Sequence, residues 1–206
     1  MNPEQRLAEG ISGLGLVIPQ DTQKGLLAYL NLIAKWNRIY NLTAIRDVAV
    51  MVSAHLLDSL AVVPHFSAQT ILDVGSGAGL PGIPLAMVWP QSQVTLLDGN
   101  QKKTTFLRQA AIELGLKNIS VVCERVESWH PESPFDLVIS RAFSELPEFV
   151  KVATKLCKAG GTLAAMKGAY PREELEQTTT GCTVRKVIPL HVPGLNAERH
   201  LVLIDP

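Results

Sequence analysis

Two aspartates and a run of glycines are the residues of this chain best placed to do chemistry. Ile71-Leu72-Asp73-Val74 is a short apolar run carrying one acid, and glycines follow at 75, 77, 79 and 82 before another apolar stretch opens. Glycine lacks a Cβ, so such a segment can turn tightly and admit a ligand close to a helix start. Val94-Thr95-Leu96-Leu97 is a second apolar run and ends on Asp98. An acid at that strand tip can take the hydroxyls of a ribose. Asp73, Gly75, Gly77, Gly79 and Asp98 thus outline a pocket for an adenosine-type cofactor. Gly77-Ala78-Gly79-Leu80-Pro81-Gly82 also fits the dinucleotide pattern G-x-G-x-x-G. Asp73 argues against a pyrophosphate there. Its carboxylate, expected to face the ligand, would repel phosphate and attract the ammonium of S-adenosylmethionine. Pro81 and Pro84 lack N–H groups that a phosphate cradle would use. The motif therefore favours S-adenosylmethionine over a nicotinamide cofactor.

These residues need a scaffold, and the pattern supplies one. Strands are predicted at 70–74, 94–97, 119–123, 135–139 and 161–166, with helices near 82–88, 101–114 and 146–157, the last ending in Ala159-Gly160-Gly161. Such alternation implies a parallel sheet with helices on both faces. Val184 to Pro189 and Arg199 to Ile204 are strand-like and joined by a loop too short for a crossover helix. They should form an antiparallel hairpin. The fold class expected is α/β: a Rossmann-like S-adenosylmethionine-dependent methyltransferase sheet, mostly parallel with a C-terminal antiparallel hairpin, preceded by an N-terminal helical extension. Residues 1–66 read as that extension, with a helix from Thr22 to Tyr40 and another N-capped by Asp47 and closed by Pro64. Residues 67–206 are the Rossmann-like domain, and the short connector suggests one structural unit.

In open α/β sheets ligands bind beyond the carboxyl ends of the strands. Those ends carry Arg125, Arg141 and Lys167, and the hairpin brings Arg199. Four cations converging on one rim suggest a phosphate-bearing substrate. Ion pairs with Glu124, Glu127, Glu145 or Glu198 are the alternative for any one of them. Val126 and Glu127 follow the third strand, where the Val126 backbone could read an adenine edge.

Composition sets the outer limits. The chain has 206 residues, 47% hydrophobic and 18% charged, which suits a compact globular domain. Lysine and arginine total 19 against 19 acids, so any nucleic-acid contact must be a local patch. No run approaches the length of an uninterrupted apolar membrane span, and no targeting segment is evident, so a cytoplasmic protein without a membrane partner is expected. Cys123, Cys157 and Cys182 are few and widely spaced. They fit small buried hydrophobes in a reducing compartment, and no metal site is expected. Nothing calls for a second copy, so a monomer is expected.

Absent motifs narrow the chemistry. The fourth strand ends in Ser140-Arg141-Ala142-Phe143, with no Asn/Asp-Pro-Pro-aromatic turn of the kind used on exocyclic amines. No cysteine follows a proline, as carbon-5 methylation of a pyrimidine would require. An acceptor with a free lone pair, such as guanine N7, remains and needs positioning more than a base. A small-molecule or protein methyltransferase and a catalytically silent nucleotide- or RNA-binding module stay open on residues alone.

The run Leu72-Asp73-Val74-Gly75-Ser76-Gly77-Ala78-Gly79-Leu80-Pro81-Gly82-Ile83-Pro84 resembles the hallmark of the RsmG (GidB) family of bacterial methyltransferases. Further matches are Lys35-Trp36-Asn37, Tyr40-Asn41-Leu42-Thr43, His55-Leu56-Leu57-Asp58-Ser59, Ile139-Ser140-Arg141-Ala142-Phe143, Lys167-Gly168 and Glu198-Arg199-His200. The resemblance implies S-adenosylmethionine as donor and N7 of guanine 527 in 16S rRNA as acceptor, on free rRNA or the small subunit and not on DNA. It implies that Gly75, Leu80, Val126, Glu127 and Arg141 contact the cofactor and that Asp98 holds its ribose. Asp98-Gly99-Asn100 stands where relatives often have Asp-Ser. Arg125, Lys167 and Arg199 would hold RNA, and Arg141, Lys167 and Arg199 would serve catalysis. Trp36, Asn37, Asn41, His55 and Asp58 are expected to pack helices on the sheet, Asp58 being the one with the strongest claim to another role.

Overall fold

The computed structural model describes residues 2–141, 143, 145–177 and 182–206. The chain opens with α1 (Pro3–Gly13), whose first turn is set by Asn2: its side chain accepts from Gln5 N at 2.8 Å, and Pro3 occupies the first turn. Helix α2 (Gln20–Tyr40) ends at Asn41, a left-handed cap at φ 49°. Its face of Leu26, Tyr29, Leu30 and Ile33 is buried. Burying each such side chain contributes about 1.5–3 kcal/mol.

The next segment is not one regular helix. Helix α3 (Val48–Met51), capped by Asp47, widens into a π-turn (Val52–Leu57) and tightens again into α4 (Asp58–Leu60). Pro64 lies in a closing 3₁₀ turn (Val63–His65). By length and composition Val48–His65 is apolar enough to cross a membrane (mean hydropathy 1.5), and 61% of it is buried inside this fold.

The alternating part follows as β1 (Thr70–Val74), α5 (Gly82–Val88), β2 (Gln93–Leu97), α6 (Gln101–Glu113), β3 (Ile119–Val122), β4 (Phe135–Ser140), α7 (Leu146–Ala153), β5 (Cys157–Lys167), α8 (Arg172–Gln177), β6 (Thr183–Pro189) and β7 (His200–Asp205). Among the described residues these strands form one sheet in the order β3-β2-β1-β4-β5-β7-β6. Strands β1 to β5 pair in parallel, and β7 is antiparallel to both β5 and β6. The strand order turns back between β1 and β4, which opens a crevice at their carboxyl ends. The expected fold class is the one observed.

Period-two alternation splits the core between the two faces. Ile71, Leu96, Ile139, Ala164 and Leu203 pack in one cluster with α1, α2, α5 and α6. Leu72, Leu97, Val138, Leu163 and Val202 pack in another, under α7. One boundary departs from expectation. The helix predicted over 146–157 stops at Ala153, and β5 begins at Cys157 instead of 161. Gly160, at φ +76°, sits inside the strand where its register with β4 shifts between Phe135 and Leu137. The glycine pair marks a bulge and not a helix end.

Candidate active site

The glycine segment folds back onto β2. The amides of Gly75 and Ser76 donate to the Leu97 carbonyl at 2.8 and 3.1 Å, and Gly77 N donates to Asp98 Oδ2 at 2.9 Å. Gly79 has φ +92°, and a Cβ there would lie 2.6 Å from Ile83 Cδ1, so only glycine fits between the loop and α5. Asp98 also accepts from Asn100 N at 2.8 Å. Asn100, just beyond Gly99 where relatives often carry serine, caps α6 by accepting from Lys102 N. From below, Tyr29 of α2 donates its hydroxyl to the Ala78 carbonyl.

Beside this loop lies a cavity of about 230 Å³ lined by Val74, Gly75, Leu97, Asp98, Gly99, Glu124, Arg125, Val126, Glu127 and Phe143. Its apolar floor and acidic rim fit an adenine, a ribose diol and a cationic tail. Gly75, Asp98, Val126 and Glu127, expected on the cofactor, all line this cavity. Asp73, Gly77, Gly79 and Leu80 are not on the wall. Asp73, expected to face the ligand, is fully buried, and its Oδ2 accepts from Gly82 N at 3.0 Å. Burial pushes its carboxyl up to about 7. Gly82 must be bare, since a Cβ would stand 2.7 Å from that same oxygen and 2.3 Å from Leu96 Cδ2.

A second cavity, of about 410 Å³, opens where β4 and β5 end and β7 begins, against the π-turn. Its walls include Ile45, Ala54, His55, Asp58, Arg141, Met166, Lys167, Gly168 and Arg199. The four cations thus divide. Arg125 follows the edge strand β3 and lies in the first cavity, its stem against Gly99, while Arg141, Lys167 and Arg199 share the second. Arg141, expected on the cofactor, is on the second wall. Ala142 of its motif lies outside the described residues.

The partners seen for these three among the described residues are other acids than the glutamates expected. Asp58 Oδ2 accepts from Arg141 Nη1 at 3.0 Å and Asp58 Oδ1 from Arg199 Nε at 2.8 Å, while Lys167 Nζ donates to Glu174 Oε2 at 2.8 Å. His55 Nε2 is 2.9 Å from Thr43 Oγ1. Burial and the nearby Arg141 charge lower its pKa, so the ring favours the neutral form. The N-terminal polar set divides as well. Asn37 holds the turn at Thr43, Asn41 caps α2 and Trp36 packs on Phe106, whereas His55 and Asp58 belong to the cavity. No local signal marked Asp58, because both its partners are remote in sequence.

Sheet order, glycine loop and paired cavities define a Rossmann-like S-adenosylmethionine-dependent methyltransferase fold. A SAM-dependent methyltransferase from Aquifex aeolicus superposes with a TM-score of 0.58 at 21% identity, over 84% of this chain and 98% of that one. The mitomycin 7-O-methyltransferase MmcR gives 0.61 at 16% identity, over 76% and 55%. In sequence, residues 22–202 match the model of the GidB family, rRNA small subunit methyltransferase G. A ribosomal RNA small subunit methyltransferase G from Laribacter hongkongensis is 54% identical over 202 residues, 98% of each chain. One from Neisseria meningitidis serogroup B is 52% identical over 206 residues, 100% of this chain and 99% of that one. The chain belongs to the rRNA small subunit methyltransferase G (GidB) family.

Proposed function

We propose that the protein transfers a methyl group from S-adenosylmethionine to N7 of guanine 527 in the 16S rRNA of the small ribosomal subunit, acting as a cytoplasmic monomer. The observation that carries this reading is the second cavity. It presents Arg141, Lys167 and Arg199 beside the glycine-loop cavity, and its carboxylate Asp58 is already engaged by two of them. Both nitrogens of His55 are engaged as well, by Thr43 Oγ1 and the Ala54 carbonyl, so the cavity is rich in donors and poor in free base. Guanine N7 suits such a place, because it has a lone pair and no proton to lose.

S-adenosylmethionine, when bound, supplies an electrophilic methyl carbon on a sulfonium. Asp98 holds its ribose, the Val126 backbone meets the adenine edge, and Gly75 and Glu127 complete that wall. Asp73, Gly77, Gly79 and Leu80 act from behind by fixing the loop. Arg141, Lys167 and Arg199 orient the guanine and its phosphates and stabilise charge through preorganised donors. Arg125, on the wall between cofactor and rim, contacts RNA that covers the first cavity. Residues 1–66 serve the 67–206 domain as a positioning extension, a role supported by the Tyr29 and Asp58 contacts.

The test is incubation with radiolabelled S-adenosylmethionine and small subunits lacking the modification, followed by borohydride–aniline cleavage at N7-methylguanine. Cleavage at guanine 527 is expected. Label at another nucleotide, or none while the cofactor is bound, overturns the reading.

A further inference from the structure

We infer that Asp58 and the π-turn before it are a positioning device that holds Arg141 and Arg199 at a fixed spacing in the second cavity; the inference rests on the function proposed above. In a regular α-helix the Asp58 amide would donate to the Ala54 carbonyl, four residues back. Here it donates to the carbonyls of Ser53 and His55. The wider turn releases the Ala54 carbonyl, which Arg141 Nη1 reaches at 3.3 Å and shares with His55 Nδ1 at 3.0 Å. Wide turns of this kind recur at functional sites.

The same Nη1 reaches Asp58 Oδ2 at 3.0 Å, so Arg141 is gripped at two points on one helix. Asp58 Oδ1 holds Arg199 by its Nε at 2.8 Å, and Arg199 Nη1 is tied back to the Glu198 carbonyl. One carboxylate, only 1% exposed, thus draws together two like charges from β4 and β7 that would otherwise repel. The Arg141 and Arg199 side chains are 27% and 26% exposed. These bonds leave Arg141 Nη2 and Arg199 Nη2 without a hydrogen-bond partner among the described residues. An ion pair serving stability alone does not require two cations on one carboxylate at the wall of the acceptor cavity. Asp58 is a positioning residue: it acts through the arginines.

The experiment compares wild type, Asp58→Asn, Asp58→Glu, Arg199→Lys and the Asp58→Asn/Arg199→Lys double variant. Cofactor Kd is read by calorimetry, and kcat and KM by methyl transfer to small subunits. Asp58→Asn is expected to keep cofactor Kd within about twofold while kcat falls at least about tenfold, as misplaced reacting groups do. Asp58→Glu should recover part of the loss. The double variant should be no slower than the slower single one, since both break one link. If Asp58→Asn does not fold, Asp58→Glu carries the test alone, with kcat below wild type at unchanged cofactor Kd. Wild-type kcat in Asp58→Asn, cofactor affinity lost in step with kcat, or additive penalties in the double variant overturn the inference. Wild-type protein that leaves the subunits unlabelled overturns the proposed function and this inference with it.

Discussion

The hydroxyl of Tyr29 donates to the carbonyl of Ala78 at 2.5 Å, joining the second helix to the middle of the glycine loop across 49 residues of chain. Both residues are buried, so water cannot replace the bond. Removing the hydroxyl leaves a buried carbonyl without its donor, at a cost of about 1–3 kcal/mol. Tyr29→Phe should lower the unfolding free energy read from urea titration by that amount and weaken cofactor binding measured by calorimetry.

Gly82→Ala tests the tight approach of α5 to β1 and β2. A methyl group 2.3 Å from Leu96 Cδ2 and 2.7 Å from Asp73 Oδ2 must push the helix away. Overpacking of this kind costs about 1–3 kcal/mol. A lower melting temperature together with weaker cofactor binding is the expected outcome, read by calorimetry.

Asp73 gives stability a pH signature. Its folded pKa, raised by burial to about 7, stands above the ordinary 3.8. The folded state therefore keeps a proton that the unfolded chain releases. Its contribution is complete below about 3.8 and is lost as pH rises through about 7. Between about pH 5 and about pH 8 the wild-type melting temperature should fall more steeply than that of Asp73→Asn.

The two cavities predict separable defects. Asp98→Ala should weaken cofactor binding about 10- to 100-fold, the scale of a lost charge-assisted hydrogen bond. Arg199→Ala should leave cofactor binding intact and impair methyl transfer. Calorimetry and transfer to small subunits read the two effects independently; normal transfer by Arg199→Ala would remove it from the acceptor cavity's working set.

How far the sequence speaks for itself depends on the range of the interaction. Strand β1 is found at 70–74 as predicted, and β2 and β4 each gain a single residue, because alternating apolar residues and flanking turns are local signals. Gly160-Gly161 misled because a bulge and a helix end both favour glycine, and only pairing with β4 distinguishes them. The glycines at 75, 77, 79 and 82 marked the loop before α5, and two of them, Gly79 and Gly82, prove to be packing requirements. The division of the cations was not legible, since it follows from strand order and not from spacing. The Asp58 contacts span 83 and 141 residues, and no window along the chain contains both ends.

The turn-back between β1 and β4 also separates two kinds of inheritance. Strands β1 to β3 and their loops build almost all of the first cavity, with Phe143 the sole contribution from beyond β4 among the described residues, whereas β4, β5, β7 and the π-turn build much of the second. Under the proposed function, drift at the ends of β5 and β7 retargets methyl transfer while leaving the donor half untouched. An engineer seeking a new acceptor would redraw the walls around Lys167 and Arg199 and keep everything from Val74 to Glu127 as it stands.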